Sequence, residues 1–280
     1  MKKVLDLRII RSERVAANTV LLGAMPVGEA LPECQPGQFA QLRADVSGAF
    51  LRRPISIHDV EGNAISFLVQ EVGEGSRWLA ARSEGDIVNA VLPLGHGFSI
   101  SQFHNFSISR GVSPLLIGGG VGVAPLLFLG RRLKAKGVTP TFLLGGRSAD
   151  NLVRLDAYRQ LGPVLITTED GSLGEHGFVT QHSHLSHLTS HFSPLTIYTC
   201  GPTPMMKAVA RWAAEHDVPC EVSLENHMAC GVGACLCCVE QLADGHNHCV
   251  CTDGPVFNAR EWLISPIPAS PRGGEGQVAK

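Results

Sequence analysis

Leu115-Leu-Ile-Gly-Gly-Gly-Val-Gly-Val-Ala-Pro125 divides the chain into two styles of folding. The apolar residues suit a buried strand and the glycines a tight turn. Pro125 suits the first turn of a helix running to Lys136, with Gly137 placed as its C-cap. Downstream, strand candidates recur at Thr141–Leu144, Val164–Thr168, Thr196–Cys200 and Cys220–Leu224, and helices are predicted over Asp150–Leu161 and Pro204–His216. Strands alternating with helices argue a doubly wound parallel α/β sheet. In such a sheet the turn after the first strand can bring backbone N–H groups to a dinucleotide pyrophosphate. The match to G-x-G-x-x-G is incomplete, because Gly118 and Gly120 fit but Val123 holds the third position. A turn that only packs the helix on the sheet is the alternative. Gly145-Gly-Arg147-Ser148 stands where an acidic ribose ligand is expected, and Arg147 suits either a 2′-phosphate or solvent.

Upstream the pattern is different. Val4–Ile10, Val15–Leu22, Gly37–Leu42, Pro54–His58, Ala64–Val69 and Ile87–Leu92 are short β-branched or alternating stretches separated by Gly, Pro, Asp and Asn. They predict an antiparallel β-barrel or sandwich over residues 1–100, with Ser99–Arg110 as a linker. Arg52-Arg-Pro-Ile-Ser-Ile57 and Val72-Gly-Glu-Gly-Ser76 place guanidinium and hydroxyl groups beside glycine backbone, which suits a diphosphate ligand. A surface turn and a salt-bridged arginine would read the same.

Composition bounds the function. The 280 residues are 44% hydrophobic and 17% charged, enough for real cores. Lys plus Arg is 23 against 25 Asp plus Glu, a net charge of −2, so no basic footprint for nucleic acid or membrane is present. The first ten residues carry a charge every few positions, no apolar run has spanning length, and a soluble cytoplasmic protein is expected. Six of the nine cysteines fall between Cys230 and Cys251, and in a reducing compartment that is a metal signal before a disulfide signal.

Cys230, Cys235, Cys238 and Cys251 give C-x4-C-x2-C-x12-C, whose first three positions match the plant-type spacing for a [2Fe–2S] cluster. Gly231-Val-Gly233-Ala234 lets the backbone wrap closely and turn N–H groups toward sulfur. Zinc held by Cys235, Cys238, Cys249 and Cys251 is the alternative. Cys237 and Cys249 are read as bystanders, and Cys34 and Cys220 as small buried hydrophobes. Cys200-Gly-Pro202 ends a strand at the side of a doubly wound sheet that faces ligands.

The order R-P-x-S (Arg53–Ser56), G-x-G-S (Gly73–Ser76), Gly118–Pro125 and Cys200-Gly-Pro202 resembles the ferredoxin reductase superfamily. With Cys251-Thr-Asp-Gly-Pro-Val-Phe257, residues 1–263 resemble the electron-transfer subunits of NAD-linked, type 1B dihydroorotate dehydrogenases. The resemblance implies an FAD-binding barrel (1–100), an NAD-binding α/β domain (111–224), a [2Fe–2S] subdomain (225–263) and a flexible tail (264–280). It implies FAD contacts at Arg53, Pro54, Ile55, Ser56, Leu68, Val69 and Gln70, with Gly75 and Ser76 on the diphosphate. Gly120 and Gly122 would lie at the NAD phosphates and Cys200 at the nicotinamide, with Cys230, Cys235, Cys238 and Cys251 on the cluster. Ile55 stands where many relatives place a Tyr, so ring stacking on the flavin is not expected there. The implied function is electron transfer, with no acid–base residue, between NAD and an FMN-bearing catalytic subunit in a heterotetramer. A hydrogenase, sulfur reductase or ferredoxin is an alternative partner, and a zinc-stabilised binding module the alternative of a different class.

Three other groupings remain. His184, His187 and His191 share a predicted helical face as a second metal site or, more simply, a solvated helix. His246 and His248 flank Cys249 and could replace thiolates as in a Rieske centre. Asp150, Glu169 and Asp170 sit at strand ends where they would meet ribose or solvent.

Overall fold

The computed structural model describes residues 1–100, 113–188 and 195–263. The tail 264–280, most of the expected linker and His191 lie outside the described residues. Strands β1(Lys3–Ala16), β2(Thr19–Pro26), β3(Phe39–Leu42), β4(Arg53–Glu61), β5(Ala64–Gln70) and β6(Ile87–Leu94) close into an antiparallel barrel in the order β1-β2-β5-β4-β3-β6. Alternation dictates it: Leu5, Leu7 and Ile9 of β1 point inward while their neighbours are exposed. The stretch expected as one strand over Val15–Leu22 is instead a hairpin, with Ala16 paired to Thr19 across Ala17-Asn18. Polar tethers fix that turn: Arg14 Nη1 donates to Ala17 O at 2.9 Å and Glu71 N to Asn18 O at 2.8 Å. A short helix, α1(Glu74–Ala80), follows β5.

The second half is a seven-stranded sheet. It contains β7(Ser113–Gly119), β8(Thr141–Gly146), β9(Val164–Thr168), β10(Glu175–His176), β11(Leu195–Cys200) and β12(Cys220–Ser223), with helices α2(Ala124–Ala135), α3(Leu155–Arg159), α4(Ser183–Leu188) and α5(Thr203–Glu215). The order β10-β9-β8-β7-β11-β12 is parallel throughout and reverses direction between β7 and β11, the topological switch point. The helix expected over Asp150–Leu161 is broken into a 3₁₀ turn at Ala149–Asn151 and the short α3. Asn151 Oδ1 accepts from Ser148 N and closes the first turn on itself, Leu152 is extended, and Arg154 is left-handed at φ 57°.

The cysteine region forms the hairpin β13(Val239–Gln241) and β14(Asn247–Cys249). The chain then returns as β15(Val256–Asn258), which adds antiparallel to β12 at the sheet edge before α6(Ala259–Leu263).

Barrel and sheet share their cores. Phe128 of α2 packs into the barrel cluster, while Leu21 and Leu68 leave the barrel to pack with Leu116, Val123 and Leu126 of the α/β half. His58 of β4, fully buried, joins them: its Nδ1 lies 2.7 Å from Ala124 O and its Nε2 3.2 Å from Arg154 Nη1. Nδ1 therefore carries the proton and Nε2 accepts. Burial, with Arg154 and Arg131 close by, pushes the ring down to about 3, so it stays neutral. Arg131 of α2 pairs with Asp59 at 2.7 Å and Glu61 at 2.8 Å on the same strand.

Candidate functional site

Strand β4 changes character along its length. Ile57 is buried in the barrel core and His58 and Asp59 against the α/β half, but Arg53, Pro54, Ile55 and Ser56 are half-exposed. Pro54 pairs with Gln41 and Ser56 with Phe39, so these side chains share one face of the strand pair. Ile55 packs partly against the barrel cluster. The structure brings the two barrel motifs together: a Cβ on Gly75 would stand 2.8 Å from Arg53 Cζ, so the guanidinium lies directly on the backbone of α1. Arg53 Nη1 donates to Leu51 O at 2.6 Å. Ser76 is placed differently from a free phosphate ligand. Its Oγ accepts from Val72 N (2.9 Å) and Gly73 N (3.0 Å) and donates to Gly73 O (3.0 Å), so the hydroxyl holds its own turn. On β5, Val69 faces the barrel core and Leu68 the interdomain cluster, and of the three expected flavin contacts there Gln70 alone is half-exposed.

At the switch point the glycines divide the work. Gly120 adopts φ 56° and has open space around its missing Cβ. Gly122 has none, since a Cβ there would stand 2.6 Å from Gly201 N, and it brings the turn against the end of β11. Cys200 pairs in register with Gly118 and Ser223 and is 1% exposed. Burial and then the Glu225 carboxylate push its thiol well up, so it is a neutral buried thiol and not a nucleophile. Asp170 Oδ1 accepts from Ser172 N at 2.9 Å and Oγ at 2.6 Å, which holds its carboxyl below the usual range. Glu169 lines a 480 Å³ concavity with His176, Gly177, Phe178 and Gln181.

The four expected cluster cysteines divide by depth. Cys230 is half-buried and Cys235 exposed, whereas Cys238 and Cys251 are buried. Backbone N–H groups already point at sulfur: Val232 N and Cys235 N each reach Cys230 Sγ at 3.4 Å, and Cys251 N reaches Cys238 Sγ at 3.4 Å. Those donors bring the Cys230 thiol down to about 6, toward the thiolate a metal needs. Cys251 is pushed up to about 12 by burial and its neighbour Cys238. Gly231 and Gly233 are both left-handed, at φ 69° and 85°, which makes the wrap around Cys230 possible. Cys237 points to solvent and Cys249 sits on β14 opposite Val239. His248 Nε2 is taken by Asp244 at 2.9 Å, away from a Rieske-like role. Among the described residues no group of three or more His, Cys, Asp or Glu converges as a mononuclear metal site would require. A binuclear cluster takes two thiolates at each iron, so four cysteines make a full set of ligands. Of the histidine group, His182 is buried with Nε2 3.5 Å from Glu175, and His184 N donates to His182 Nδ1 at 3.1 Å.

One residue that sequence reasoning passed over lies between barrel and cluster loop. Gln41 of β3 is 0% exposed, and a Cβ on Gly231 would stand 2.9 Å from its Nε2. Among the described residues neither Gln41 Nε2 nor Oε1 has a hydrogen-bond partner. An orphaned buried amide against the backbone of the residue that follows Cys230 fits a sulfur-rich group that accepts hydrogen bonds. No spacing signal marks a lone glutamine in a strand, so the sequence could not have revealed it.

A closed barrel with these two motifs, packed on a doubly wound sheet with a glycine turn at its switch point, defines the ferredoxin-reductase class of oxidoreductase. Family models agree: the oxidoreductase NAD-binding domain matches residues 116–211, and the iron–sulfur cluster binding domain of dihydroorotate dehydrogenase B matches residues 225–262. The chain is 42% identical over 236 residues to the dihydroorotate dehydrogenase B (NAD(+)) electron transfer subunit of Shouchella clausii, covering 82% of this chain and 87% of that protein. For the Listeria monocytogenes serotype 4b subunit of the same name the figures are 38% over 262 residues, 91% and 97%. A chain of the NADH-dependent reduced ferredoxin-NADP oxidoreductase structure, described for flavin-based electron bifurcation, superposes with TM-score 0.78 at 29% identity, covering 91% of this chain and 90% of that one. The Amycolatopsis cytochrome P450 reductase (TM-score 0.64, 21% identity, 77% and 66% covered) shares the fold. The chain belongs to the family of electron-transfer subunits of NAD(+)-linked dihydroorotate dehydrogenase B. Among the described residues no helix is long and apolar enough to cross a membrane.

Proposed function

We propose that this chain carries electrons between a partner flavoprotein and NAD⁺, through a [2Fe–2S] cluster and FAD, during dihydroorotate oxidation in cytoplasmic pyrimidine biosynthesis. The observation that carries the reading is a junction. Strand β3 touches the cluster loop through Gln41 and pairs with the Arg53–Ser56 strand, while Leu68 of β5 packs beside Val123 of the glycine turn. The adjacent strands β3, β4 and β5 thus link the three proposed sites, which suits electrons passing from one to the next.

FAD would supply the exchange between two-electron hydride chemistry and one-electron transfer, and the cluster carries electrons singly. The chain's own residues bind and orient. Arg53, fixed on Gly75, neutralises the FAD diphosphate beside the α1 backbone at Gly75 and Ser76. Pro54, Ile55 and Ser56 with Leu68, Val69 and Gln70 form the walls along the flavin, Val69 by backbone alone. Gly120 opens the turn to dinucleotide phosphates, Gly122 sets its depth, and Cys200 closes the crevice behind the nicotinamide with an uncharged surface that excludes water. Cys230, Cys235, Cys238 and Cys251 would hold the cluster through their thiolates. Residues 1–100, 111–224 and 225–263 serve as flavin, NAD and cluster domains, and 264–280 as a tail. The subunit names of the relatives support a catalytic partner, which we take to be an FMN enzyme in a heterotetramer.

The test is anaerobic co-purification with the catalytic subunit from the same source, followed by assay of NAD⁺ reduction by dihydroorotate. FAD and iron bound to this chain with dihydroorotate-dependent turnover support the reading. A colourless, zinc-loaded protein overturns it. Cofactor-loaded protein that instead exchanges electrons with ferredoxin favours the second reading, which the likeness to the ferredoxin-NADP oxidoreductase supports.

A further inference from the structure

We propose that Gln41 is a positioning residue for the cluster. On this reading its carboxamide N–H donates a hydrogen bond to the sulfur edge beside Cys230 and raises the cluster's reduction potential relative to the flavin. The inference rests on the cluster assignment above. Its ground is an unusual expense in the barrel. The strand alternates, with Ala40 and Leu42 in the barrel core while Phe39 joins the cluster that contains Cys238, Val250 and Cys251. By the same alternation Gln41 faces that way too. Burying a carboxamide without partners is unfavourable, and Leu or Met at this position would avoid that penalty. Both amide atoms are nevertheless buried and orphaned among the described residues, and Nε2 lies against the backbone of the residue that follows Cys230.

The surroundings narrow the partner. Pro54, opposite Gln41, has no N–H to offer, and Val91 on the other flank is apolar. The guanidinium of Arg52 is directed elsewhere, to Gln41 O at 3.3 Å and to Asn89 O and Oδ1 at 3.0 and 2.6 Å. Thiolate and sulfide sulfur accept hydrogen bonds and donate none, so an amide facing them presents its NH₂. Hydrogen bonds to cluster sulfur favour the reduced, more negative state. The same strand position abuts Pro54 of the flavin motif, so the residue lies where electrons cross from one centre to the other.

The experiment uses the cofactor-loaded complex, with electron paramagnetic resonance during a redox titration. Gln41→Met keeps the volume and removes the donor; the one-electron equilibrium should shift roughly tenfold toward oxidised cluster, about 59 mV for a single electron. The reduced cluster should also lose a proton coupling that exchanges in D₂O. Gln41→Glu keeps the reach, replaces the donor with negative charge and should shift the equilibrium further in the same direction. Wild-type protein without a [2Fe–2S] signal would defeat the cluster assignment itself. A normal wild-type signal with unchanged cluster potential and proton couplings in both variants overturns the role of Gln41 alone. So does a change confined to the flavin. If Gln41→Met fails to retain iron, the sign and size of the Gln41→Glu shift decide.

Discussion

The glycine turn at 118–122 and the cysteine loop at 230–235 are both short, glycine-rich and close to a strand end, yet they combine crowding and left-handed backbone differently. The turn divides them between Gly122 and Gly120, and the loop joins them at each glycine. In the turn, Gly122 is required by crowding, because Gly201 leaves no room for a side chain. In the loop, Gly231 and Gly233 are required by backbone conformation as well as by close neighbours. The cysteines follow suit. Cys200 is a buried neutral thiol, whereas Cys230 is half-open and biased toward thiolate by N–H donors. One region is finished by packing before any ligand arrives; the other holds reactive thiols that a metal completes. That suits a diffusible dinucleotide on one side and a resident cluster on the other.

The comparison can be broken most sharply at Cys251. Cys251→Ser should abolish the cluster and reduce electron transfer to the partner by more than about 100-fold, read from the iron content and visible spectrum. Chelating the iron from the wild type should mimic this and leave the barrel intact by circular dichroism. Gly122→Ala should strain the turn by about 1–3 kcal/mol as overpacking does, and raise the apparent KM for NAD⁺ while the iron signal stays unchanged. Loss of the cluster in that variant would collapse the distinction drawn here. Gly75→Ala should push Arg53 aside and weaken FAD by about tenfold, the scale of one lost charge-assisted hydrogen bond, measured by flavin release.

A smaller effect concerns the seam between the halves. His58 is depressed to about 3 in the folded protein, below its unfolded value of 6.5. The unfolded state therefore binds more protons below pH 6.5, and stability present above that pH is lost as pH falls toward 3, by about 1.4 kcal/mol per unit. His58→Gln should flatten that slope in pH-dependent denaturant melts. Least of all, Cys237→Ser should keep the cluster, its spectrum and its turnover within about twofold, as an exposed surface substitution does.

Much of this was legible before any coordinates. Regular alternation gave the barrel strands away, and thiolate chemistry forces four cysteines into a spacing that survives as text. The missed features depend on partners distant in sequence. The hairpin at Ala17-Asn18 carries no glycine, and its tethers come from Arg14 and Glu71. The broken helix near Arg154 is fixed partly by His58, nearly a hundred positions away. The Ser76 hydroxyl, by contrast, holds its own turn through near neighbours, Val72 and Gly73. Gln41 carries no pattern at all.

The return of β15 to the edge of β12 has a thermodynamic consequence. Leu224 N donates to Pro255 O at 2.8 Å, so the sheet holds both ends of the cysteine segment side by side. Closing a loop of that length is an entropic cost that rises slowly with length, and the pairing of β15 with β12 offsets it. Inserting the cluster need only order a few residues around four thiols. The segment is thus held at both ends by the sheet and in its middle by packing, because Cys238, Val250 and Cys251 share a core cluster with Phe39 and Leu94 of the barrel and Met206 of α5.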